Sequence, residues 1–267
     1  MPRDPITIIV GVRTRRYPQS SGRRTGRADR PLILIPAFNE AANIEAVLAR
    51  IHQATPAYPV LIVDDGSADD TAARARTAGA GVIRLPFNLG YGVALQTGYK
   101  YALRHGHDCV VQLDADGQHE PGDIPALLAP IAAAEADVVV GSRFMVPGGY
   151  RSGAVRRLGM VVFGALAFWL TGRRFSDVTS GFQALGADVL RFFSDDRYPP
   201  DYPDADVLIM LNRAGFRIHE LPVRMYARHG GRSQHAGLLR PAYYVFKMLL
   251  SVLLTPLRQE AFKRQGA

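Results

Sequence analysis

A single cysteine, Cys109, stands in a chain of 267 residues, so no disulfide can close within it. It lies in the apolar run Cys109-Val110-Val111 with no second cysteine to complete a metal cluster, which assigns it to core packing. The chain is therefore compatible with a reducing cytoplasm. Long hydrophobic runs are missing too. The longest uncharged apolar stretch, Leu158 to Leu170, has 13 residues, short of the roughly 20 that a membrane-spanning helix needs. Near the N-terminus the apolar run Ile6-Thr7-Ile8-Ile9-Val10 is followed by arginines instead of a small-residue cleavage site, and it reads as part of a basic arm rather than a secretory signal.

The composition that remains, 48% hydrophobic and 21% charged, suits a folded chain and argues against wholesale disorder. At this length one catalytic domain with a smaller subdomain fits, and several independent domains do not. The formal charge of +8 is unevenly placed. Residues 1–30 carry eight arginines against two aspartates, residues 31–142 carry six bases against thirteen acids, and residues 143–267 carry eighteen bases against nine acids. An acidic first half suits attraction of a divalent cation, and a basic second half suits an anionic acceptor or an anionic membrane surface. Solvated surface charge accounts for each residue singly but not for the segregation.

Between residues 31 and 142, short β-rich runs alternate with helical patterns, the signature of βαβ units on a mainly parallel sheet. Strands are expected at Leu32 to Ile35, Val60 to Val63, Val82 to Leu85, Val110 to Leu113 and Val138 to Val140. Helices are expected at Ala41 to His52, Asp70 to Ala78, Tyr91 to Arg104 and Pro121 to Ala134, the second capped by Ser67 or Asp69 and the fourth opened by Pro121. Beyond residue 142 the rhythm breaks. Helices are expected around 152–171, 203–214 and 236–254, with strands at Phe182 to Leu185 and Arg217 to Val223, as a smaller acceptor-side region on the same sheet.

Ligands of such sheets bind beyond the carboxyl ends of the strands, and there the acids gather. Asp114-Ala115-Asp116 follows the fourth strand, and its small central residue leaves room for a ligand between two carboxylates. That oxygen-donor set suits Mg²⁺ or Mn²⁺ bridging a diphosphate. Asp116-Gly117 also suits a plain turn. Asp64-Asp65-Gly66-Ser67 places two acids at the end of an apolar strand, a costly arrangement unless they serve a ligand such as a ribose or a nucleobase. Asn88-Leu89-Gly90-Tyr91-Gly92 matches neither the Walker nor the dinucleotide spacing and reads as a tight turn.

In order, Ile35-Pro36-Ala37-Phe38-Asn39-Glu40, Val63-Asp64-Asp65-Gly66-Ser67, Asn88 to Gly92, Leu113-Asp114-Ala115-Asp116-Gly117-Gln118-His119 and Gly141-Ser142-Arg143 closely resemble the family 2 glycosyltransferases. The Gln118-His119 ending and the later Asp177-Val178-Thr179-Ser180-Gly181-Phe182 resemble their polyprenyl-phosphate, dolichol-phosphate mannosyltransferase-like branch. The resemblance implies an α/β fold of GT-A type over residues 31–235, Rossmann-like, with a mostly parallel central sheet and a helical C-terminal acceptor-side region. By their own composition, residues 1–30 read as a basic, flexible arm, and 236–267 as an amphipathic helix at the membrane interface or else packed against the protein's own sheet or a partner.

It also implies roles. Pro36, Asn39, Glu40, Asp64, Asp65, Asp114 and Ala115 would bind the nucleotide sugar; Asp114, Asp116 and Gln118 would hold Mg²⁺ or Mn²⁺. Arg143 would face the acceptor phosphate or the donor diphosphate, or else form a surface salt bridge. Arg156 and Arg157, opening an otherwise apolar helix, would meet the lipid phosphate or else form a merely solvated helix start, and Arg232 would belong to a basic loop closing over the diphosphate or else to an ordinary loop. The activity implied is inverting transfer of a hexosyl group from GDP-mannose or a UDP-hexose to a polyprenyl phosphate, by an enzyme held peripherally at the inner, cytoplasmic face of a membrane. In relatives that glycosylate hydroxyls, an acidic base occupies the place of Asp204 and Asp206, so a polysaccharide or glycolipid acceptor is the alternative. A nucleic-acid role for the arginine arm is disfavoured by the acidic domain behind it. An oligomer or a membrane-protein partner stays open.

Overall fold

The computed structural model describes residues 28–146, 154–195, 198–200, 203 and 205–226, with the backbone alone for 154–162. The expected arm and the expected helix over 236–267 lie outside the described residues, apart from residues 28–30. Among the described residues no helix is long and apolar enough to cross a membrane.

Seven strands form one mixed sheet in the order β3-β2-β1-β4-β6-β5-β7. The strands are β1 (Pro31–Ala37), β2 (Val60–Asp64), β3 (Gly81–Arg84), β4 (Cys109–Gln112), β5 (Val138–Ser142), β6 (Gln183–Gly186) and β7 (Ile218–Pro222). All neighbours pair in parallel except β6, which runs antiparallel between β4 and β5. The strand expected at Phe182 to Leu185 is therefore inserted in the middle of the sheet.

Strands β1, β2, β4 and β5 are buried along their whole length because helices cover both faces. Alternation then sorts their side chains. Ile33, Ile35, Val111 and Val139 enter a core beneath α1 (Ile44–Ala54) and α4 (Ile124–Ala132), while Leu32, Leu34, Val110 and Val140 enter a second core. That second core lies beneath α3 (Tyr91–Arg104), α6 (Ala187–Phe193) and α7 (Ala205–Arg213) and includes Phe163 and Ala167 of α5 (Ala154–Thr171). Each fully buried Ile or Leu contributes about 2 kcal/mol through area removed from water.

Helix α1 follows from Ile44, Val47, Leu48 and Ile51 at helical spacing. Helix α2 (Thr71–Thr77) begins where Asp69, not Ser67, accepts the Thr71 amide at 3.1 Å. Pro121 opens a 3₁₀ turn, Pro121–Asp123, capped by Glu120 and leading into α4. Gly98 of α3 lies so close to β1 that a Cβ there would stand 2.3 Å from Leu34 Cδ1, which sets how near the helix comes to the sheet. The chain leaves β1 outward through β2 and β3, then returns to β4 on the other flank of β1. This reversal opens a crevice at the carboxyl ends of β1, β2 and β4.

Candidate active site

Pro36, Asn39 and Glu40 lie at the carboxyl end of β1, on the crevice side of the sheet. Pro36 pairs in register with Val63 inside the sheet. Asn39 is exposed and adopts φ 55°, and from that turn its Oδ1 accepts the Ala68 amide at 2.8 Å while its own amide donates to Ser67 Oγ at 2.9 Å. Glu40 is buried; its amide donates to Thr71 Oγ1 at 2.9 Å and its carboxylate accepts Asn43 Nδ2 at 2.7 Å. These bonds fasten the end of β1 to the turn after β2.

The two acids after β2 divide their duties. Asp64 is fully buried and accepts the Ser67 amide at 3.3 Å; Arg84 Nε stands 3.2 Å from its other oxygen, out of line for a hydrogen bond. Asp65 accepts the Leu89 amide at 2.7 Å and the Gly90 amide at 3.0 Å, one on each carboxylate oxygen. Its carboxylate holds the turn Asn88 to Gly92 against the sheet edge. Gly90 has φ 105°, and a Cβ on Gly92 would stand 2.1 Å from Pro199 O, so this turn needs both glycines.

At the end of β4, Asp114 is gripped from two sides. Tyr91 Oη donates to its Oδ1 at 2.8 Å, and His119 Nε2 lies 3.1 Å from its Oδ2. Burial works to raise the Asp114 carboxyl, yet His119, Tyr91 and the Arg143 charge outweigh it and keep the group below its ordinary value. Ala115 is buried between the two aspartates. Asp116 accepts the Gln118 amide at 3.1 Å and borders an open groove of about 390 Å³, shared with Asn43, Arg50, Glu120 and Tyr226. Gln118 Nε2 donates to Tyr226 O at 3.1 Å, and Tyr226 N donates back to Gln118 O at 2.8 Å. The loop is thus laced to the chain leaving β7. Arg50 clamps its other side, reaching Gly117 O at 3.0 Å and His119 O at 3.2 Å.

Arg143, just past β5, forms a two-pronged pair with buried Asp177: Nε to Oδ2 at 2.6 Å and Nη2 to Oδ1 at 2.8 Å. Nη2 also donates to Thr179 Oγ1 at 2.6 Å. Arg143 does form the salt bridge that the alternative expected, but with 11% of its side chain exposed the pair lies mostly beneath the surface. Next to it, a Cβ on Gly181 would stand 2.9 Å from Asp114 Oδ2, so the segment Asp177 to Phe182 supports both Arg143 and Asp114. His119, Tyr91, Asp177 and Gly181 all lie within motifs visible in the sequence, yet their contacts join residues up to 90 apart that spacing alone does not pair.

The residues expected to face the acceptor are less fully described. Arg156 and Arg157 fall in the first turn of α5, where only the backbone is described; Asp204 and Arg232 lie outside the described residues. Asp206 is fully buried in the first turn of α7, its Oδ1 accepting the Val207 amide at 2.8 Å. Its charge acts on Tyr198, whose phenol is pushed up first by burial and then by Tyr99, Tyr91 and Asp206.

Two carboxylates and one amide oxygen, from Asp114, Asp116 and Gln118, are hard donors of the kind Mg²⁺ and Mn²⁺ select. Among the described residues no cluster of three His, Cys, Asp or Glu side chains is arranged to enclose a metal alone. A cation held by these three donors would have to complete its shell with substrate oxygens.

Residues 32–198 match the glycosyl transferase family 2 model. An undecaprenyl-phosphate mannosyltransferase of Micrococcus luteus is 34% identical over 217 residues, covering 78% of this chain and 88% of that one. A polyprenol monophosphomannose synthase of Mycolicibacterium smegmatis is 31% identical over 219 residues, covering 78% and 82%. Among solved structures, glucosyl-3-phosphoglycerate synthase of Mycobacterium tuberculosis, crystallised with Mn²⁺, uridine diphosphate and glucosyl-3-phosphoglycerate, superposes with a TM-score of 0.66 at 24% identity, over 87% of this chain and 81% of that one. The chain is a glycosyltransferase of GT-A fold and belongs to glycosyl transferase family 2. Within the family its similarity is to the polyprenyl-phosphate mannosyltransferase-like branch.

Proposed function

We propose that the enzyme transfers a hexosyl group from a nucleotide sugar to a polyprenyl phosphate at a membrane surface, with inversion at the anomeric carbon. The observation that carries the reading is Asp114, kept ionised by Tyr91 and His119 at the topological switch of the sheet, with Asp116 and Gln118 on the same loop. Asp114, Asp116 and Gln118 would hold Mg²⁺ or Mn²⁺, which when bound neutralises charge on the donor diphosphate. The relatives' names supply the acceptor class.

Each step is then a matter of position. The walls made by Asn39, Glu40 and the turn held by Asp65 orient the nucleoside. Arg143, fixed by Asp177, presents positive charge near Asp114, where it can meet phosphate oxygens. An acceptor phosphate oxygen attacks the anomeric carbon, the bond from that carbon to the diphosphate breaks, and the nucleoside diphosphate leaves with the electron pair. A phosphate acceptor is already anionic at neutral pH, so no general base is required. Burial of Asp206 accords with this: that candidate base has no surface in the crevice.

The test is a panel of GDP-mannose and UDP-hexoses with Mn²⁺ or Mg²⁺ and a short polyprenyl phosphate, scored for lipid-linked sugar. One donor should give product. Donor hydrolysis without lipid product, together with transfer to a sugar hydroxyl, would overturn the acceptor assignment.

A further inference from the structure

Glu220 stands on the edge strand β7, paired in register with Val140 of β5, and shares a face of the sheet with Ile218, which is fully buried. An acid on the inward face of an edge strand discourages pairing with another sheet, and a solvated carboxylate would do that alone. Glu220 is instead half-buried and surrounded by donors from one short segment. The Ser176 amide lies 2.8 Å from its Oε1 and 3.1 Å from its Oε2, and the Asp177 amide donates to Oε1 at 3.2 Å. The Ser176 hydroxyl donates to the same oxygen at 2.7 Å. In sequence the region shows only a strand; the role of this acid emerges from what it holds.

Two chains of contacts run from this carboxylate to Arg143. One passes through the backbone. Ser142 Oγ, fully buried, lies 2.7 Å from Ser176 Oγ and accepts the Phe144 amide at 3.3 Å. The residues on either side of Arg143 are thus tied to the hydroxyl that Glu220 holds. The other chain passes through the side chain. Asp177, whose amide Glu220 receives, takes Arg143 Nε at 2.6 Å and Nη2 at 2.8 Å, and Thr179 Oγ1 accepts Nη2 as well. Backbone and guanidinium of Arg143 therefore hang on the same anchor. A long side chain gains its rigidity from such supports, and a reacting group displaced by an ångström loses much of its effect.

We infer that Glu220 is a positioning residue for Arg143, acting through Ser176 and Asp177 to fix the pose in which the guanidinium meets phosphate oxygens. Glu220 itself touches no substrate; it works from the far edge of the sheet. Its effect on turnover rests on the proposed function, whereas its hold on the Arg143 pose does not.

The pose is read first from the guanidinium Nε–H resonance of Arg143 in the full-length protein, assigned by its loss in Arg143→Lys. An Nε–H held on a buried carboxylate exchanges slowly with water. Glu220→Gln keeps the shape of the side chain but turns one accepting oxygen into a donor, so the resonance should shift and its exchange quicken about fivefold or more. An unmoved resonance in the folded variant would overturn the inference. Where Glu220→Gln does not fold, Ser176→Ala carries the test: it should move the resonance the same way, and no movement would overturn the inference. Turnover is read second, as a double-mutant cycle with the donor that gives lipid-linked product. Glu220→Gln should lower kcat about tenfold in the parent and less than about twofold in the Arg143→Lys background, where the pose is already lost. Equal fold losses in the two backgrounds would overturn the inference, because Glu220 would then support only the fold. Absence of transfer by the parent with every donor, while the resonance still responds to Glu220→Gln, would overturn the proposed function and leave the positioning of Arg143 supported.

Discussion

His119 Nε2 lies 3.1 Å from Asp114 Oδ2, with the imidazole buried and packed on Phe182 at a centroid distance of 5.0 Å. The ring is thus wedged between the crevice and the core, and its Nδ1 has no hydrogen-bond partner among the described residues. A group held this way orients the carboxylate it touches. His119→Ala should lower kcat/KM about 10- to 100-fold, in the range seen when the outer partners of ligating groups are removed. The protein should stay folded by circular dichroism, and the dependence of rate on Mn²⁺ concentration should shift to higher values. A rate unchanged within twofold would separate His119 from the site.

Gly181 sets the space for Asp114. A Cβ there would stand 2.9 Å from Asp114 Oδ2 and 3.2 Å from Tyr91 Oη. Gly181→Ala should therefore displace Asp114 and weaken donor binding, seen as a rise in KM for the nucleotide sugar. Its cost in stability should be about 1–3 kcal/mol, as for other small overpacking changes, measured by urea denaturation.

Arg143 and Asp177 form a largely buried pair, so removing one partner leaves the other charge uncompensated. Asp177→Asn should cost about 3 kcal/mol of stability, by the penalty typical of broken buried pairs. It should also reduce turnover, since Arg143 loses its fixed pose. Arg143→Lys should retain part of the stability but little of the activity, because an ammonium cannot reproduce the two-pronged contact.

Glu120 ties the acidic loop to Arg50 and Tyr226, receiving Tyr226 Oη at 2.8 Å and lying 3.3 Å from Arg50 Nη2. Partial burial raises its carboxyl, but the Gly122 amide, Tyr226 and the two arginines nearby outweigh this and hold it below the ordinary 4.5. A lowered folded-state value means that the stabilisation is present above the unfolded value and is lost as pH falls through the folded one. The stability gap between the parent and Glu120→Gln should thus be widest at neutral pH and should narrow as pH falls below the ordinary 4.5. Urea midpoints at pH 7, 5, 4 and 3 check this.

Much of the frame was legible because its strands are uninterrupted apolar runs bounded by turn residues, as at Leu32 to Ile35 and Val60 to Val63, and α3 begins and ends at Tyr91 and Arg104 as its pattern predicts. Helix α6 was missed because its seven residues follow β6 directly, leaving no turn signal between strand and helix. The antiparallel insertion of β6 between β4 and β5 was hidden for another reason: local pattern tells that a strand forms, not which strands it joins. In the site, the gathering of Asp64, Asp65, Asp114 and Asp116 at one sheet edge followed from their places at the carboxyl ends of β2 and β4. Their partners did not. Asp65 looks like a ligand residue in sequence, yet its carboxylate receives two backbone amides from a turn about two dozen residues on. The pairing of Arg143 with Asp177 likewise depends on the return of the chain after α5.

The central claim is that Asp114, Asp116 and Gln118 hold the donor through a divalent cation while the sugar passes to a lipid phosphate. Its most direct measurement is lipid-linked sugar formed by the parent enzyme and by Asp116→Ala, each with Mn²⁺ and each after exhaustive chelation. Product should appear for the parent with Mn²⁺ and fall by at least about a hundredfold on chelation or on loss of Asp116. Abundant product from Asp116→Ala in metal-free buffer would contradict the claim.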